Sequence, residues 1–202
     1  GRVYGIHHSL LPAYRGFSPL VWAMINGEKI IGSSLFKIEN GIDTGEIYYQ
    51  WRVEVSNRKI GAVLNELEEN IAKDFGTIFN NIISGKIIPK RQDEIGVSYC
   101  ARRNENSGQI VWSQKPNEIV SFIRAQTEPY PGAYFKIEGK KIIVDDAEVF
   151  GSNVYGKPGQ IAFYEDQKAI ICCGDYEAVK LTEVRGFKNH REIFRNLDVV
   201  LN

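Results

Sequence analysis

No stretch of this 202-residue chain approaches the roughly 20 consecutive apolar residues that a bilayer-spanning helix needs, and no basic-then-apolar leader opens it. Both absences argue against a membrane protein and predict a cytoplasmic globular one. An excess of either charge is missing too. Lys plus Arg number 25, and so do Asp plus Glu. The balance holds locally, with 11 of each sign in residues 1–100 and 14 of each in 101–202. A protein that grips a phosphate backbone usually shows a basic excess, so nucleic acid is disfavoured as a partner. Cysteine is scarce: Cys100, Cys172 and Cys173 form no CxxC or Cys/His spacing and read as reduced thiols, with no metal implied. Cys172 and Cys173, adjacent on a strand, must face opposite ways. No GxGxxG or P-loop is present, so a phosphate would have to be held by scattered groups. The one methionine is Met24 and the chain starts at Gly1, which predicts a processed or truncated product with sequence upstream. What is there, 43% hydrophobic and 25% charged residues, is the composition of a folded protein.

Val3 to His7 alternates like a strand running into a loop that continues to Gly16. Ser18 as cap and Pro19 at the first helical position predict a short helix ending at Gly27. Residues 29–38 and 47–55 read as paired strands joined by a polar loop in which Gly41 and Gly45 flank Asp43. From Lys59 the period changes to three and four, with Ile60, Val63, Leu67, Ile71, Ile78 and Ile82 on one face and Ser56 available as a cap. This predicts a long helix ending at Gly85, and with the preceding strands the second half of an open α/β domain over residues 1–100. Residues 101–110 lack any period and are assigned as a linker. Residues 111–202 hold a helix from Pro116 to about Gln126, then short strand-like runs from Ala133 to Val184 that suggest a small β-barrel or sandwich. Asn189 with Glu192 fits the start of a last short helix.

Three features carry chemistry. His7 and His8 end a strand, where α/β folds place reactive groups. Asp43 lies in a glycine-flanked loop of the kind projected into clefts, although such a side chain often serves only to bond its own turn. Arg15 follows closely. Jointly, His7-His8-Ser9-Leu10-Leu11-Pro12-Ala13-Tyr14-Arg15-Gly16 and Gly41-Ile42-Asp43-Thr44-Gly45 resemble the HxSLLPxxRG and G(I/L)DTG signatures of the folate-dependent formyltransferases. The resemblance extends through Ile110-Val111-Trp112-Ser113, Phe122-Ile123-Arg124-Ala125, Pro129-Tyr130-Pro131-Gly132-Ala133 and Gly156-Lys157-Pro158-Gly159-Gln160 to the family's C-terminal domain.

The resemblance implies the C-terminal half of a Rossmann-like catalytic domain followed by a small β-barrel domain, and transfer of a formyl group from 10-formyltetrahydrofolate to an amine without a metal. It assigns His7 and Asp43 to catalysis, His8, Ser9, Leu11, Tyr14, Arg15 and Gly16 to substrate binding, and Ile42, Asp43 and Thr44 to the folate. An attacking amine gives a tetrahedral intermediate that needs both a base and an oxyanion partner. His7 is either of these, and Asp43 orients its ring.

The chain departs from the family at Gly5, where the pattern has a catalytic asparagine. Either a backbone N–H or another donor such as His8 stands in, or the protein is impaired. The family's earlier strands, which contribute much of the folate pocket, are also missing. The acceptor implied by Arg15 to Glu28, with Trp22 and Asn26-Gly27-Glu28, is the amine of a nucleotide-linked amino sugar. Methionyl-tRNA, the hydrolase half of a formyltetrahydrofolate dehydrogenase and a degenerate non-catalytic homologue are the alternatives, and a homodimer is left open.

Overall fold

The computed structural model describes residues 3–55, 57–194 and 200–201. Its chain divides into two compact units, Gly1–Arg103 and Asn104–Asn202. The fold is mixed α/β.

In the first unit, β1 (Tyr4–His7), β3 (Ile30–Lys37) and β4 (Ile47–Glu54) form an antiparallel sheet in the order β1-β3-β4, with His7 opposite Ser34 and Gly5 opposite Phe36. Residues 31–36 of β3, the middle strand, are all buried, as a strand covered on both faces requires. Helix α1 (Pro19–Ile25) turns Leu20, Val21 and Met24 inward. Ser18 does not cap it as predicted: it sits in the left-handed region at φ 49° and its side chain makes no cap bond, leaving Pro19, which needs no N–H partner, to open the helix. Helix α2 (Ile60–Ile83) buries Ile60, Val63, Leu67, Ile78 and Ile82 and lies on β4. Its cap position is Lys59, and Ser56 lies outside the described residues. One pairing was not legible in the sequence. The two-residue strands β2 (Arg15–Gly16) and β5 (Tyr99–Cys100) run parallel, fastening the loop after β1 to the end of this unit.

The second unit is one antiparallel sheet in the order β6-β7-β10-β9-β8, formed by β6 (Ala133–Ile137), β7 (Lys140–Phe150), β8 (Ile161–Glu165), β9 (Lys168–Cys172) and β10 (Ala178–Val184). Helix α3 (Pro116–Arg124) packs on β7 and β10 and buries Ile119, Val120 and Ile123. Strand β9 is buried on both faces. Cys173 lies in the main cluster with Phe135, Val179 and Leu181, and Cys172 in a smaller one with Val154 and Ile170. The two thiols therefore do diverge. Burial pushes the Cys173 thiol up to about 12, which keeps it protonated and unreactive. Part of the assigned linker is tied down, because Ile110 donates to the Tyr134 carbonyl and Tyr134 to that of Gly108. The short helix expected after Asn189 is a 3₁₀ helix, His190–Glu192, capped by Asn189 Oδ1, which accepts from the Arg191 N–H rather than pairing with Glu192.

Candidate active site

Strand β1 delivers His7 to the mouth of the first unit's sheet, and the loop between β3 and β4 delivers Asp43 to it. Asp43 adopts φ 52°, a left-handed conformation that short polar side chains tolerate and that ends a turn sharply. Its Oδ2 accepts a hydrogen bond of 2.7 Å from the Gly16 N–H and lies 3.6 Å from His7 Nδ1. The His7 side chain is only 10% exposed and that of Asp43 22%. On the other side of the ring, His7 Nε2 lies 2.8 Å from the Tyr14 carbonyl. A carbonyl can only accept, so Nε2 carries the ring proton here and Nδ1 faces the carboxylate. The edge of Phe36 meets the ring at a centroid distance of 6.3 Å.

Gly16 must be glycine for two reasons. Its φ is +98°, and a Cβ there would lie 2.9 Å from the Cys100 carbonyl oxygen. Gly45 is held just as close, against the backbone of Lys37, and a Cβ would overlap it outright. Thr44 folds back over Gly41, and Ile42, at 62% exposure, stands apolar at the tip of the loop.

Within the predicted substrate segment the structure separates two kinds of residue. Ser9 and Leu11 are buried and hold the loop's shape: Ser9 Oγ donates to the Ala13 carbonyl, Leu11 N donates to Ser34 Oγ, and Gln50 donates to the Leu11 carbonyl. Tyr14 and Gly16 meet the His7–Asp43 pair through their backbones. The Tyr14 hydroxyl donates to Glu28 and accepts from Asn26 Nδ2, and burial raises its pKa. His8 is taken up by Ser33 Oγ at 2.9 Å, and burial lowers its pKa against the opposing pull of Glu68. Gly5 faces Phe36, whose Cε1 would lie 3.2 Å from an added Cβ, so the ring occupies the space into which a side chain at this position would grow. Arg15 is 4% exposed. Its Nε and Nη2 donate to Gln92 Oε1 at 3.1 and 2.6 Å, and its Nη1 donates to the Tyr99 hydroxyl at 3.1 Å.

Gln92 was invisible in the sequence, lying in a polar segment without period. Its Nε2 also donates to the carbonyls of Asp43 and Gly45, at 2.7 and 2.8 Å. Nothing short of the tertiary contacts could have found it. Trp51 and Trp112 are core residues, while Trp22 donates to the Ala101 carbonyl and carries the Arg103 guanidinium 5.0 Å above its face. Among the described residues no three His, Cys, Asp or Glu side chains converge, and no helix is long and apolar enough to cross a membrane.

A histidine flanked by a backbone carbonyl and a loop carboxylate is an arrangement that can hold and move a proton. Residues 1–75 match the formyl transferase model and residues 103–191 that of the formyl transferase C-terminal domain. The chain belongs to the formyltransferase family. It is 31% identical over 172 residues to the methionyl-tRNA formyltransferase of Clostridium novyi (strain NT), covering 84% of this chain and 55% of that protein. The chain thus spans just over half the length of that curated relative. Among solved structures it resembles WlaRD, a sugar 3N-formyl transferase crystallised with dTDP and 5-N-formyl-THF, with TM-score 0.72, 23% identity, 92% of this chain and 66% of that one. It also resembles the N-formyltransferase of Helicobacter canadensis in complex with folinic acid and dTDP-3-aminofucose, with TM-score 0.66, 22% identity, 89% of this chain and 65% of that one. At these identities the two structures speak for the fold.

Proposed function

We propose that the protein transfers a formyl group from 10-formyltetrahydrofolate to the amine of a nucleotide-linked amino sugar, and that His7 and Asp43 carry the chemistry. The observation that carries this reading is the pairing of His7 Nδ1 with an Asp43 carboxylate that is itself anchored on the Gly16 N–H. The folate supplies an activated formyl carbon. The residues fit it: Ile42 offers exposed apolar surface suited to a flat ring on the same loop as Asp43, and Thr44 follows.

His7 Nε2–H, which meets the Tyr14 carbonyl here, is the donor available to an oxygen that becomes negative as the amine adds. Moving the ring proton to Nδ1, beside the Asp43 carboxylate, frees Nε2 to take the proton that the amine nitrogen loses. His7 then gives that proton to the folate nitrogen as the bond between that nitrogen and the formyl carbon breaks, and a shift of the remaining ring proton from Nδ1 back to Nε2 restores the starting state. Asp43 holds the ring in place for both roles. We further propose that residues 1–100 are the latter part of a Rossmann-like catalytic domain, that 111–202 form a small β-barrel domain, and that the protein is cytoplasmic.

The even charge of residues 101–202 supports a sugar acceptor over tRNA, and the fold shared with WlaRD and the Helicobacter canadensis enzyme, which was solved with a dTDP-amino sugar, is compatible with it. The methionyl-tRNA reading rests on the Clostridium novyi relative. The test is formylation of dTDP-linked amino sugars and of methionyl-tRNA by the intact protein with 10-formyltetrahydrofolate. Turnover on the sugar with none on the tRNA is expected, and the reverse result replaces the acceptor.

A further inference from the structure

We propose that Gln92 is a positioning residue for this reaction, setting the Asp43 loop against His7 through a bond to each of the two loops that meet there. The proposal rests on the reading of His7 and Asp43 as the reacting pair.

One planar amide makes four bonds. Its two N–H groups go to the Asp43 and Gly45 carbonyls, and its oxygen accepts twice from Arg15. This exhausts the capacity of a glutamine side chain. The orientation is fixed by its partners, since the flipped amide would set N–H against guanidinium N–H and oxygen against two carbonyls. The bonds span 77 residues to Arg15 and 49 to Asp43, so they join the loop after β1 to the loop after β3. Arg15 belongs to β2 and is covered by Tyr99, whose ring lies 5.7 Å from its guanidinium carbon, so that end of the bridge is buried and rigid. At the other end both donors land on the backbone around the left-handed Asp43 residue.

The Asp43 carboxylate is itself held by one N–H, that of Gly16, the residue next to Arg15. Gln92 and Gly16 thus grip Asp43 from its main chain and its side chain. The 3.6 Å distance between Oδ2 and His7 Nδ1 follows from both grips. Releasing the main-chain grip should tilt the carboxylate without disturbing either strand.

Gln92→Glu separates positioning from structure. It keeps an oxygen for Arg15, now with a charge to match the buried guanidinium, and removes both donors to the Asp43 loop. In the intact protein kcat is expected to fall about tenfold to hundredfold, with both KM values within threefold; the carboxylate oxygen that meets the two carbonyls lowers the melting temperature but leaves the protein folded at the assay temperature. Gln92→Ala should lose as much in kcat and melt lower. A second readout is independent of turnover: the ¹⁵N signals of the His7 ring should move in Gln92→Glu toward those of Asp43→Asn. The proposal is overturned if Gln92→Glu keeps kcat within threefold, if KM alone rises, or if the His7 signals stay where they are. Retained transfer by His7→Ala would instead remove the reading of the pair, while the ring signals would still report whether Gln92 sets Asp43.

Discussion

In residues 1–103 the buried polar side chains Ser9, Arg15, Ser33 and Ser34 are all bonded, and several of their partners lie 25 to 84 residues away in sequence. In residues 104–202 the buried Gln126 and Thr127 donate to carbonyls four and three residues back, at the end of α3, and His190 Nδ1 accepts from the Ala169 N–H, 21 residues away. There Trp112 Nε1, Tyr134 Oη, Thr182 Oγ1 and His190 Nε2 are buried without a partner among the described residues, against Trp51 Nε1 alone in the first unit. The contrast separates two ways of holding a shape. The second unit is held by an apolar core between a helix and a sheet, and leaves some polar capacity unused. The first spends buried polar bonds on fixing two loops, which a core alone cannot orient to fractions of an ångström.

The largest effect should come from His7→Ala, which removes the group to which those loops are fitted. Transfer by the intact protein is expected to fall by about 10² to 10⁴ or more, with the melting curve close to the parent's because the side chain supports no core. Steady-state formylation beside a thermal melt checks this, and activity within tenfold takes His7 out of the mechanism.

Asp43→Asn comes next. Asn Oδ1 can still accept from the Gly16 N–H, so the loop should stay in place while the charge beside His7 is lost. Turnover should drop on the order of 10²-fold with little change in KM, and its pH profile should change shape. A rise in KM alone makes Asp43 a binding-loop residue.

The third change tests whether the first unit tolerates a further polar group. An added Cβ at Gly5 meets Phe36 at 3.2 Å and Ile38 at 3.3 Å, both of them side chains that can yield. Gly5→Asn is therefore expected to cost about 1 kcal/mol in denaturant unfolding, to be recovered in part by adding Phe36→Leu, and to leave transfer unchanged or raised. If Asn destroys activity in a folded protein, the register of the site is wrong.

The second unit offers an effect on stability alone, with none expected on transfer. His190 is fully buried, its Nδ1 accepts from the Ala169 N–H, and burial, helped by the nearby Lys168 charge, depresses its pKa to about 4. The unfolded chain takes up this proton near pH 6.5, before the folded one does. His190 therefore costs nothing above that pH, and stability drains away as pH falls from 6.5 toward 4, by up to about 3 kcal/mol. His190→Gln should flatten this dependence in urea unfolding at pH 7 and pH 4.5. Equal losses in both proteins would show that His190 does not titrate late.

Much of the architecture could be read directly. The strand at 47–54 and the helix at 60–83 were visible because their burial follows periods of about two and 3.6, and the strand at 30–37 because a short, mostly apolar run stands between polar segments. The strands from Ala133 to Val184 were visible because glycine turns punctuate them. His7 and Asp43 were legible as candidates, since the histidine ends a strand and the aspartate sits between glycines. Ser18 misled because its composition suits a cap while the chain needed a left-handed turn there. Only the tertiary structure could show that Arg15 is buried rather than extended toward a ligand, that Phe36 fills the space beside Gly5, and that Gln92 ties the two loops together. Those facts depend on bonds between groups many residues apart, whose partners no local period encodes, and they exist only once β2 has paired with β5 and the two loops have been brought together.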